Sequence, residues 1–425
     1  MPNYRIFNDD PKTLNVLAYG KFGSTAIGVA VDSGGIVKTG LTNSGEPVDF
    51  PLTAFKDTRA AEIQAVVGWN FNYNVNADIV TTTTTGSGTV TPSNSKAVLQ
   101  TGASASAKAQ ISTIAALRYS PGLGALVRLA ALFTTGAAGS TQLIGIGDQS
   151  DGFFFGYSGS SFGVLRRQNG TDNFIPQSSW NGDKFDGTGS SGLVLDTTKG
   201  NVYSIQYQWL GFGPIDFTIE SPAGKNILAH RIEYPNSSVD PSIFNPTLPL
   251  MAQVENTANT TNIKLETSSG MGFVEGNAGQ ALVTRNSILA SKTAITSEIA
   301  VITIRDKATF QGRTNRIRIQ NDFLSISTAG TVATQIQVIK NTTLGGTPSF
   351  TDVSTSTSVV DYDTAGTTVT GGKTILSFQM GAVDSVQLFV STMNIRLNPG
   401  DTLTVAASSL ASTTVQVSLS WEEFF

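Results

Sequence analysis

Apolar side chains recur at every second position along much of this chain, which is the period of a half-buried strand. Val415, Val417, Leu419 and Trp421 alternate strictly with polar neighbours. Tyr203, Ile205, Tyr207 and Trp209 do the same against Ser204, Gln206 and Gln208. Strands are predicted over residues 125–133, 142–146, 153–157, 162–165, 202–210 and 250–254, separated by Gly-rich turns. Phe217, Ile219, Phe273 and Val274 continue the pattern. Turn signals recurring this often indicate a β-sandwich. The one helical candidate is 55–67, where Ala60, Ile63 and Val67 have helical spacing and Gly68 is a stop, with a strand over 63–67 as the alternative. The expected fold is all-β: several β-sandwich domains of jelly-roll, concanavalin-like type, with little helix.

Three regions are expected. Residues 1–95 read as a small N-terminal β-rich docking or assembly domain. Its meander turns at Lys21 to Ser24 and again before Ile36, Val37 and Lys38. Residues 96–278 read as a lectin-like jelly roll. Residues 279–425 read as a C-terminal sandwich with strands at 299–304, 316–319, 336–339, 375–378, 394–397, 403–406 and 415–421. Asn398, Pro399, Gly400 and Asp401 form a turn in which proline presets φ and glycine supplies a positive φ. The stretches 81–91 and 101–110 are rich in small polar residues and read either as linkers or as exposed strands.

Composition narrows the class. Only 14% of the 425 residues are charged, against roughly 25% in an average domain. Few charges then need desolvation where subunits meet, which suits a regular surface assembly. The net charge of −4 supplies no basic field for nucleic acid. The absence of cysteine removes disulfides and thiolate chemistry. No apolar run is long enough to span a membrane as a helix. The start, MPNYRIFNDDPK, has no basic segment followed by an apolar one, so synthesis and assembly in a cytosol are expected. The Asn-x-Ser/Thr sequons at Asn169, Asn236, Asn259 and Asn341 then read as chance in a Thr-rich chain.

Candidate chemistry is sparse. His230 is the single histidine, so it alone would have to serve a Ser-His-Asp triad. Gly159 to Gly163 matches G-x-S-x-G, but strands flank it where the nucleophile elbow needs a helix. Gly371, Gly372, Lys373 and Thr374 end like a phosphate-binding loop that lacks its first glycine, because position 367 is threonine. Asp148 and Asp151, with Asp183 and Asp186, sit in turn-like sequence. The first pair is the candidate calcium site, since hard cations take carboxylate oxygens. Tyr157, Trp180 and Trp209 are the candidate sugar-stacking residues, with Tyr203 and Tyr207 beside them in the pattern. A glycosidase would need paired carboxylates; Glu220 and Glu233 are a candidate pair that nothing else in the sequence marks. Arg305, Lys307, Arg313, Arg316 and Arg318 form a basic stretch that reads as a solvated face or a subunit contact. No cofactor is expected.

The stretch 147–170, GDQSDGFFFGYSGSSFGVLRRQNG, resembles a domain found in structural proteins of tailed bacteriophages and giant DNA viruses. The likeness continues through Trp180-Asn181, Gly200 to Tyr203, Gln208 to Gly213, Pro246 to Leu250 and Phe273 to Gly276. Phe310 to Gly312, Thr314 to Arg316, Leu344 to Pro348 and Ser420 to Glu422 are similar to terminal domains of the same proteins. Asn15 to Gly20 and Val31 to Ser33 resemble an uncharacterised domain of spore-forming bacteria. The resemblance implies a non-enzymatic virion structural protein, a capsid decoration or fibre-type subunit on the particle surface. Its partners would be copies of itself and other structural subunits, and host surface glycans are a further candidate. A bacterial cell-surface or spore-appendage subunit and a glycan-binding adhesin remain the alternatives.

Overall fold

The computed structural model describes residues 19–22, 25–28, 42–43, 46–47, 62–276 and 282–425. The chain divides into two compact units, Met1–Ala61 and Glu62–Phe425. In the first, Tyr19–Phe22 pairs antiparallel with Thr25–Gly28, so the first expected hairpin forms, with its first strand running on to Phe22. Thr42–Asn43 pairs with Glu46–Pro47. The expected strand at Ile36 to Lys38 lies outside the described residues, as does most of the helical candidate.

The second unit begins with a correction. The described end of that candidate, from Ile63, belongs to a strand, Ile63–Asn70, paired with Ser269–Glu275. Val67 and Trp69 alternate into the core, and that burial outweighs the helical spacing of Ala60, Ile63 and Val67. Strands at Val80–Thr85 and Thr89–Ser93 also join the sheets that follow, as does Ala107–Thr113. The stretch 81–91 is therefore two strands about a turn and not a linker, while 101–106 is a loop that leads into Ala107–Thr113. The middle sandwich takes its first strand from Ile63, earlier than residue 96.

Two antiparallel sheets, of nine and seven strands, face each other here. Tyr203, Ile205 and Tyr207 point from the nine-stranded sheet into the shared core, and Phe153, Phe155 and Tyr157 meet them from the other side. The alternation ends at Tyr207. Trp209 lies in the following loop, half-buried, and Leu210 there has φ +36. A second pair of sheets, of five and six strands, builds residues 283–424 around Val415, Val417, Leu419 and Trp421, all four inward. The turn at Asn398 forms as expected. Gly400 has φ +93, and Asp401 N–H donates to the Asn398 carbonyl at 2.8 Å. Among the described residues the helices are single 3-10 turns at Gln177–Ser179 and Val390–Met393. The architecture is thus all-β, built of sandwiches.

Candidate functional site

The hairpin at the centre of the resemblance is formed by Gly152–Ser158 and Ser161–Gln168, closed by Gly159 and Ser160. Gly159 adopts φ +59, which the tight turn requires. Ser161 opens the second strand opposite Ser158, and the chain runs on as strand, so no elbow exposes its hydroxyl. His230 lies in the opposite sheet, paired with Phe217. Its Nδ1 accepts the Asn181 N–H at 3.3 Å, and burial holds its pKa below the ordinary imidazole value. Serine and histidine are not brought together.

The three phenylalanines divide between faces. Phe153 and Phe155 enter the core. Phe154 lies on the outer face of the seven-stranded sheet with Leu143, Leu165 and Met251, flanked by Phe174. Glycines make its seat. A β-carbon at Gly147 or Gly152 would stand 2.5 or 2.7 Å from the Phe154 ring, and one at Gly163 would stand 2.8 Å from Phe174. This outer face is roofed by its own side chains. The Arg167 guanidinium sits 5.4 Å above the Phe154 ring. Gln149 Nε2 donates to Gln110 Oε1 at 3.1 Å and Gln253 Oε1 at 3.2 Å. At Gly145 an added β-carbon would fall 2.0 Å from the Phe153 carbonyl oxygen. Gly145→Ala should therefore destabilise the middle sandwich by about 2 kcal/mol through overpacking, read as a lower midpoint in urea. An unchanged midpoint would contradict this packing.

The candidate calcium pair has other work. Asp148 Oδ1 accepts the N–H groups of Ser150 at 2.7 Å and Asp151 at 2.9 Å, while Oδ2 pairs with Arg316. Asp151 accepts from the N–H groups of Asn169, Phe244 and Asn245 at 2.9–3.3 Å, fastening three loops. The donors already present satisfy both carboxylates, so the calcium reading is corrected to a structural one. Asp183 is similarly held by Phe185 N–H and Ser191 N–H. Among the described residues no group of three potential metal ligands gathers.

The sugar-stacking candidates are also corrected. Tyr157 is buried, and its hydroxyl is 2.8 Å from Thr197 Oγ1. Trp180 is buried against Phe155 and Phe162. Trp209 packs on Tyr119 and donates from Nε1 to the Ile243 carbonyl at 3.0 Å. The first two have no ring face free for a sugar, and the third is committed to holding its loop. Tyr203 and Tyr207 are buried, and burial pushes both phenols upward. Glu220 and Glu233 lie at opposite ends of one strand pair, roughly 20 Å apart at about 3.3 Å per residue. A glycosidase pair needs about 5–9.5 Å. Lys373 follows a glycine turn into a strand and pairs with Asp78, so no phosphate loop forms there.

The basic stretch is in part an internal contact, while Arg313 remains on a solvated face. Arg305 grips Asp361 with both arms of its fork, and Lys307 pairs with Asp352. Arg316 and Arg318 reach the junction with the middle sandwich, where Arg118 meets them. A cleft of about 330 Å³ opens beside them, with Phe244, Phe310, Phe424 and Phe425 presenting ring surface next to Arg313. No local signal marked this junction, because its members are separated by as much as 307 residues.

No family model matches the chain, and no curated protein does. Among solved structures, the chain is similar to one described under endo-acting O-glycanases of the human gut microbiota (TM-score 0.36, 11% identity, 50% of this chain and 100% of that one). A glycoside hydrolase family protein from Mycobacterium thermorestibile gives TM-score 0.35 and 11% identity over 48% of this chain and 99% of its own. The carbohydrate recognition domain of Emp46p gives TM-score 0.31 and 9% identity over 48% and 97%. Likeness at this level says nothing of what the chain does.

Proposed function

We propose that this chain is a non-enzymatic subunit of a surface assembly, in the manner of a capsid decoration or fibre-type protein on a virion. The observation that carries the reading is the five-stranded sheet of the C-terminal sandwich. It ends in two long strands, Val283–Ile295 and Val383–Phe389, each hydrogen-bonded on one side only among the described residues. Neither contains proline, and both show apolar side chains to solvent: Leu289 is 70% exposed, Val383 80% and Phe389 71%. Sheets that must stay solitary block their edges with lysine, proline or bulges. Val283–Ile295 carries one bulge, between Lys292 and Ile295 close to its end, and the charged side chains of both edges are held by neighbours. Arg285 pairs with Glu422, Lys292 donates to the carbonyls of Thr364 and Gly366, and Asp384 accepts from Gly381 and Ser385 N–H. Such edges suit strand addition between copies or with a neighbouring subunit. The viral resemblance of the middle sandwich supports the same reading and gives the expected setting.

Purified protein should form discrete oligomers or filaments as concentration rises, visible by negative-stain microscopy and sedimentation. Leu289→Lys combined with Phe389→Lys should leave monomers, because each lysine would have to be desolvated at the new contact. A chain that stays monomeric at every concentration, alone and with particles from its source, would count against assembly. Cleavage of an oligosaccharide by the purified chain would overturn the non-enzymatic part.

A further inference from the structure

Three guanidinium groups converge on one small cavity where the two sandwiches of the second unit meet. Arg118 comes from the middle sandwich. Arg316 and Arg318 come from the segment that leads into the strand Arg318–Ala329 of the C-terminal sandwich. Asn398 and Phe424 also line it, beside the apolar Ile114, Ala116 and Pro399. The cavity holds about 80 Å³, against roughly 150 Å³ for a cavity that takes benzene. It therefore has room for a group of a few heavy atoms.

The charge around it does not balance. Arg316 is paired with Asp148. Arg118 donates from Nε to Phe425, where the oxygen belongs to the α-carboxylate, and from Nη2 to the Leu282 carbonyl, both at 3.1 Å, so the group left without an anion is Arg318. Arg318 has no carboxylate partner among the described residues. Its guanidinium lies 5.5 Å from the centre of the Phe424 ring, and that of Arg118 lies 5.3 Å from the same ring. The acidic groups nearby on the same elements are engaged elsewhere. Glu422 pairs with Arg285, and Asp401 with Lys340. Arg396 adds a further cation, since Leu397 and Arg396 pair with Ile319 and Gln320 next to Arg318. The Nε–H groups of Arg316 and Arg318 are both buried with no acceptor. Burial and the neighbouring Arg396 and Arg118 push the Arg318 pKa down to about 10, which still leaves it charged at neutral pH.

Withdrawing unpaired guanidinium groups from water is unfavourable unless an anion answers them. Their planar forks match the oxygens of phosphate, sulfate or carboxylate. We propose that this cavity binds a small oxyanion, which bridges Arg118 to Arg316 and Arg318 and so fastens the two sandwiches together. This goes beyond the assembly reading and does not depend on it.

The test uses the whole chain, titrated with sodium phosphate, sodium sulfate or sodium acetate at constant ionic strength made up with sodium chloride. A saturating rise in thermal midpoint is expected with at least one of the three, and which one responds separates tetrahedral oxyanions from carboxylates. Arg318→Gln should weaken that response at least tenfold in midpoint concentration. A response equal to that of chloride alone, or one retained in Arg318→Gln, would overturn the proposal. The unmutated protein offers an independent readout should Arg318→Gln misfold. It should broaden the phosphorus resonance of inorganic phosphate, and sulfate should restore the line. If acetate is the ligand that responds, its methyl proton line serves in the same way. Broadening of neither line, together with no thermal response to sulfate, would overturn the proposal.

Discussion

Glu423→Ala is expected to destabilise the C-terminal sandwich by at least about 4 kcal/mol, a large part of the roughly 5–15 kcal/mol that holds a domain together. The carboxylate is fully buried. Its Oε1 accepts from Trp421 Nε1 at 2.9 Å, Asn286 Nδ2 at 2.8 Å and Ser358 Oγ at 2.6 Å, and Oε2 accepts from Val359 N–H at 2.8 Å. These donors come from three separate segments. Alanine would leave all of them buried without an acceptor, at roughly 1–3 kcal/mol each before relaxation. Denaturant unfolding followed by tryptophan fluorescence would measure the loss. The neighbouring Glu422 gives the contrast, because its partner Arg285 is 65% exposed. Arg285→Ala should change stability by less than about 1 kcal/mol. Equal effects from the two variants would sink the argument.

The second large effect is a gain. Asp306 is buried, and one carboxyl oxygen accepts from Asn315 Nδ2 at 2.7 Å while the other has no partner. Burial, reinforced by the charges of Glu423, Asp401 and Asp361, pushes its pKa up to about 9 from 3.8. Between those values the folded chain keeps a proton that the unfolded chain releases. Stability is therefore full below about pH 4 and falls as pH rises towards 9, by about 1.4 kcal/mol per unit at most. Asp306→Asn preserves the acceptor for Asn315 and cannot ionise. The variant should be more stable than the parent at pH 8, and the difference should shrink towards pH 5. Midpoints of thermal unfolding at the two pH values decide it. Parallel pH profiles for parent and variant would show that Asp306 does not titrate as its surroundings require.

Strict alternation made part of this legible. Extending the inward series Val415, Val417, Leu419 and Trp421 by two residues reaches Glu423 and separates it from Glu422 on the opposite face. The division of Phe153, Phe154 and Phe155 was not legible, because the sheet carries an apolar layer on both sides at that point. Carboxylates in turn sequence looked like cation ligands until their N–H donors were in place. The junction of Arg118 with Arg318 and Phe424 depends on how two sandwiches meet, which no local pattern encodes. Threonine-rich strands were ambiguous for a related reason. A polar edge strand hides little, so hydrophobic periodicity is silent there, and pairing alone places Val80–Thr85 beside Ala107–Thr113.

The glycines beneath Phe154 and Phe174 set what the run GFFFGY…FGVLRR can tolerate. A β-carbon at Gly147, Gly152 or Gly163 would collide with one of those rings, so the run is bound by the thickness of an aromatic ring lying flat on a sheet. The constraint it carries is one of packing, and the loops at the rim of the sandwich lie outside it.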